Sequence, residues 1–153
     1  MVHFVCRIVF AQFLAFLCAG QDTGLQIKDK QQEVTAFLKT AKTEREMRVA
    51  LGDFNRLADR AFQINEYDLA GKLYGEAAKV AQALKDVSLV QTLADLARKS
   101  AEVGRQFKKA EQGYYRIEEK KGTPEDYRDV GRFMCFVKGE WEFGLKYLAE
   151  GKD

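Results

Sequence analysis

From Leu89 to Ile117 the residues Leu89, Leu93, Leu96, Ser100, Val103, Phe107, Ala110, Tyr114 and Ile117 follow one another at alternating steps of four and three. A helix gathers such positions into one stripe, whereas a strand changes face at every residue. Neither proline nor a glycine pair interrupts the run, so it predicts a single long helix. Its apolar edge needs cover, and the segments on either side carry helical apolar faces that can supply it. The expected fold is all-α, with irregular antiparallel hairpins packed on one long central helix.

The chain has 153 residues and one proline, which suits a single helical domain able to bury a core without metal or disulfide support. Residues 1–20 read as a secretory signal peptide, with a basic start, an apolar middle from Ile8, and a small-residue exit at Cys18-Ala19-Gly20 before Gln21. Retention as an anchor is the alternative, although the unbroken apolar part is short for a membrane span. Expected localisation is secreted, periplasmic or at the cell surface, with any membrane contact confined to this segment. Cleavage would remove His3, Cys6, Cys18 and one of the 25 basic residues but none of the 23 acidic ones, leaving a net charge near +1. So even a balance is no signature of nucleic-acid binding. Cys135 would be the lone thiol, so an exported chain of this kind has no internal disulfide.

Within 21–153, Gln21 to Gly24 reads as a polar leader, and a first helix runs from Leu25 to Lys42, its period clear only from Val34. Thr43 and Glu46 form a capping box that opens a second helix ending near Ile64. Asn65-Glu66 is a brief break before a third helix, Tyr67 to Lys85, which must fold back as a hairpin. Asp86 is placed to cap the long helix, and Gly122 is expected to take the left-handed conformation at its exit. Thr123-Pro124-Glu125-Asp126 starts a fifth helix reaching Val137, and Glu140 to Ala149 is the sixth. Nothing further follows to cover that last helix, which leaves C-terminal truncation of a longer protein open.

Phe54, Leu57, Ala58, Ala61, Asn65, Tyr67, Ala70, Tyr74, Ala77 and Gln82 fall at intervals that resemble a tetratricopeptide repeat, with small residues where two helices meet and aromatics beside them. Ala61, Asn65 and Gln82 depart from that pattern, which has an aromatic, a glycine and a proline there. A partial second match covers Gly139-Glu140-Trp141, Gly144 and Leu148. Its distance from Tyr67 does not fit two repeats of about 34 residues. The segment from Val130 to Trp141 with Gly144-Leu145 also resembles a helical region of large exported bacterial multidomain proteins, loosely back to Val34. That likeness implies a secreted or surface scaffold and carries over no catalytic residue.

With no histidine after residue 20, Ser-His-Asp and Cys-His catalysis and His-ligated zinc have no internal imidazole. Cys135, between Met134 and Phe136, reads as a buried small hydrophobe. Glu118-Glu119 point to different helix faces and read as solvated; Glu125-Asp126 and Glu140 with Glu142 are the other acidic pairs. Gly71 and Gly75 read as a close helix approach. Arg105, Lys108, Lys109, Arg116, Lys120 and Lys121 are interleaved with Glu102, Glu111, Glu118 and Glu119, the pattern of a mixed helix surface. No phosphate-binding glycine loop or calcium loop occurs. Trp141 is expected in the core, with its glycine neighbours making room for the indole.

These features identify no catalytic, cofactor-binding or metal-binding residues and point to a non-enzymatic protein-interaction or scaffold module. Its partner would be a protein, a peptide or an adjacent domain, and not a nucleic acid. The alternatives are carbohydrate or cell-wall binding by an aromatic face of Tyr114, Tyr115, Tyr127 and Trp141, and a spacer that only orients attached modules.

Overall fold

A computed structural model describes residues 23–151; the signal segment read at 1–20 lies outside them. The described residues form six α-helices: α1 Gly24–Thr40, α2 Glu44–Gln63, α3 Tyr67–Ala83, α4 Val87–Glu118, α5 Pro124–Arg132 and α6 Trp141–Glu150. A π-helical turn, Phe133–Val137, separates the last two.

The stripe behaves as its spacing demands. All nine of its residues are buried or half-buried along one uninterrupted helix of 32 residues. Its neighbours do not surround it, however. The helices pack mainly against those before and after them in sequence, so α3 covers the first half of α4, and α5 with the π-turn covers the second. Two cores result. Ile27, Phe54, Leu57, Leu73, Tyr74 and Leu93 belong to the first, and Tyr67, Val103, Ala110, Tyr114, Val130, Phe133 and Met134 to the second. Ser100, fully buried between them, satisfies its hydroxyl by donating to the Leu96 carbonyl at 2.9 Å. An aromatic ladder ties α2 to the π-turn: Phe62 to Tyr67, Tyr67 to Phe107 and Phe107 to Phe133 have ring centroids 4.9, 5.5 and 5.5 Å apart.

Helix starts follow side-chain chemistry. Thr43 with Glu46 and Thr123 with Asp126 form reciprocal capping boxes, and Asp86 accepts from the Leu89 N–H at 3.1 Å. Thr23 and Gln26 form a third box, so α1 is helical from Gly24, one residue before the expected Leu25 and well ahead of the Val34 periodicity.

The ends of α2 and α3 fall within two residues of expectation, but the residues that turn the chain and the last two exits differ. Asn65, Lys85 and Lys120 hold the left-handed conformation with φ of 67, 59 and 60°, each closing its helix with a paired set of backbone hydrogen bonds. Lys120, not Gly122, therefore turns the chain out of α4. Gly122 serves close packing instead, since a Cβ there would lie 2.5 Å from Ile117 Cγ1. The fifth helix does not run to Val137 as a regular α-helix. After Arg132 the backbone widens, with the Lys138 N–H reaching the Phe133 carbonyl at 3.1 Å, and this keeps Phe133, Met134 and Cys135 all buried before Gly139 turns at φ 73°.

Candidate functional site

α6 starts directly after the Gly139 turn, and its inward positions are Gly144, Phe143, Tyr147 and Leu148. Gly144 lies against Gly131 and Cys135, so the space it leaves is filled by the neighbouring backbone rather than by the indole. Trp141 consequently faces outward and is 49% exposed, contrary to its expected place in the core. It packs edge-on against Phe136, which is 70% exposed, with centroids 5.2 Å apart. Leu145 follows Trp141 by one helical turn and is 54% exposed. Three large apolar side chains thus meet solvent together at the last hairpin.

The four-ring face considered for carbohydrate is not assembled. Tyr114 is buried in the second core, Tyr127 is half-buried with its ring 6.3 Å from that of Tyr147, and only Tyr115 joins Trp141 in being exposed.

A polar node forms around Lys138, two residues after Phe136. The Lys138 ammonium donates to Asn65 Oδ1, which also accepts from the Tyr67 hydroxyl at 3.0 Å. Lys138 Nζ lies 5.7 and 5.8 Å from the ring centroids of Tyr67 and Phe133. Burial pushes the lysine below its ordinary range and pushes the Tyr67 phenol up to about 12. The node joins the α2–α3 turn to the end of the π-turn.

A concavity lies between α1 and α3. Lys28, Gln31, Gln32, Lys39, Leu69 and Lys72 are among the residues lining this trough of about 540 Å³. The sequence places Lys28 and Lys39 within the first helix, but its period is clear only from Val34, and the trough needs the facing bank from α3 as well. The Thr23-x-x-Gln26 box was the available signal.

The remaining candidates have structural settings. Cys135 is buried, as its apolar neighbours imply. Glu118 and Glu119 are both exposed, and Glu119 pairs with Lys121 at 3.0 Å. Asp126, by contrast, is buried; the Arg116 guanidinium beside it, helped by Thr123, holds its carboxyl well below the usual range. Of the basic residues singled out on α4 and beyond, Arg105 pairs with Glu102, Lys108 with Asp68 at 2.7 Å, Arg116 with Asp126 and Lys121 with Glu119. Gly71 makes the expected close approach, where an added Cβ would meet the Ala97 carbonyl at 3.4 Å, but Gly75 has nothing within 4 Å. Among the described residues no cluster of three or more His, Cys, Asp or Glu could hold a metal ion, and no helix is long and apolar enough to cross a membrane.

No protein-family model, curated protein or solved structure matches the chain.

Proposed function

We propose that this protein is a non-catalytic interaction or scaffold module of a bacterium, secreted, periplasmic or at the cell surface, built from irregular tetratricopeptide-like hairpins. The observation that carries the interaction reading is the outward-facing set Phe136, Trp141 and Leu145. Aromatic side chains grouped at a surface are the usual anchors of protein interfaces, and their exposure costs solvation free energy that a partner would recover.

The repeat-like reading draws support from burial at the matching positions. Ala58, Ala70 and Ala77 are fully buried, and Tyr67 and Tyr74 nearly so. Asn65 supplies the left-handed turn residue where the repeat pattern has glycine. Export rests on the segment at 1–20.

The test compares the protein with an F136S/W141S variant as immobilised baits in extracytoplasmic extracts. A partner retained by the parent and lost by the variant, with melting temperatures equal within about 2 °C, supports the reading. Identical capture by both, or turnover of a glycan or small molecule by the parent, overturns it. Exposure of Trp141 and Tyr115 keeps carbohydrate binding as the second reading, which predicts loss of glycan retention in a W141S variant.

A further inference from the structure

We infer that the trough between α1 and α3 is a docking site for an extended, acidic polypeptide segment. Lys28, Gln31, Gln32 and Lys39 follow one another at helical spacing on α1, and Lys72 stands on the opposite bank. No carboxylate lines the trough. Asp29 and Glu33 of α1 fall outside its lining, while on α3 Asp68 is held by Lys108 and Glu76 by Lys79, each at 2.7 Å. Among the described residues none of the three lysines has a carboxylate partner. Three like charges around one concavity raise its potential and favour an incoming anion.

The dimensions and the other groups choose among anions. Lys28 and Lys39 are roughly 16 Å apart along the helix axis at 1.5 Å per residue. An extended chain covers that distance in about five residues. The carboxamides of Gln31 and Gln32 both donate and accept, which matches the alternating groups of a peptide main chain. Leu69, buried at the base, offers an apolar contact. No aromatic ring lines the trough, so it lacks the stacking platform of a single-stranded nucleic-acid site.

The assignment goes beyond the function proposed above, because the trough shares no residue with the Phe136–Trp141 surface. The experiment measures fluorescence anisotropy of a labelled alternating Glu-Ser peptide of about ten residues, long enough to span the lysines. A K28Q/K39Q/K72Q variant should bind it at least about tenfold more weakly, and a K28E/K39E/K72E variant more weakly still. K99E/K109E/K120E, with the same charge change on and after α4, should stay within about twofold of the parent, as should F136S/W141S. Circular dichroism of each variant confirms the fold. Absence of binding by the parent, equal loss in the trough and α4 charge reversals, or tighter binding of a sulfated oligosaccharide of equal charge overturns the assignment.

Discussion

Gly131 of α5 and Gly144 of α6 lie so close that a Cβ added to either would sit 2.9 Å from the carbonyl oxygen of the other. Their backbones are therefore in direct contact, with Cys135 and Leu148 closing the space on either side. This contact sets the depth at which α6 docks. It also explains why the indole one turn earlier points away from the core.

Replacement of Gly144 by alanine should destabilise the fold by about 2–3 kcal/mol, because the new methyl strikes backbone as well as Cys135 Sγ. A C135A/G144A double variant should recover only part of the loss, since the contact with the Gly131 carbonyl persists. The G75A substitution in α3, where an added Cβ meets nothing within 4 Å, should instead stabilise by about 0.5–1 kcal/mol. Thermal and urea denaturation of the three variants checks all these signs.

Asp126 serves two structures at once, as the third residue of the Thr123 capping box and as the carboxylate clasped by Arg116 from α4. Its folded value is depressed below the ordinary 3.8, chiefly by the Arg116 hydrogen bonds. The stability it contributes is therefore fully present above that unfolded value and lost as pH falls through the folded one. D126N should lower stability at neutral pH by about 1–2 kcal/mol through the weakened cap. The gap between parent and variant should narrow as the solution is acidified below pH 3.8. A gap that stays constant down to strong acid would show that the charge of Asp126 plays no part.

Lys138 and Tyr67 titrate in opposite senses although they share Asn65. The lysine's folded value is lowered by burial, so its charged form opposes folding, and its contribution becomes more favourable as pH rises toward 10.5. Tyr67, raised to about 12, contributes stability that is complete below 10 and lost as pH climbs through the folded value. As pH rises toward about 10, before phenols ionise, the parent should gain stability relative to K138M. Above that pH Y67F should lose less than the parent. Chemical denaturation at a series of alkaline pH values separates the two groups.

Much of this architecture was legible beforehand because its causes are local. Nine residues of α4 declare their face by spacing, and Thr43, Asp86 and Thr123 declare helix starts by the chemistry of their oxygens. The end of α3 near Lys85 was legible, but the left-handed conformation of Lys85 and Lys120 was not, since lysine does not advertise a positive φ. The outward Trp141 was hidden for a related reason: it depends on the meeting of Gly131 with Gly144, which belongs to neither helix alone. The lysine trough likewise needs two helices separated in sequence.

The last expectation concerns how two cores share one helix. Leu93 is buried in the first and Val103 in the second, and Ala101 lies exposed on the α4 segment between them. If α4 transmits order from one core to the other, L93A should accelerate amide hydrogen exchange in α5 and α6 as well as in α1 to α3, because the whole chain opens together. Proline at 101 removes a helical hydrogen bond and crowds the preceding turn, costing about 3 kcal/mol, while glycine there costs only about 1. In an A101P background the effect of L93A should stay within α1 to α3 and the first turns of α4. Protection in α5 and α6 that is indifferent to L93A even without the proline would show that each core is stable on its own and that the long helix merely joins them.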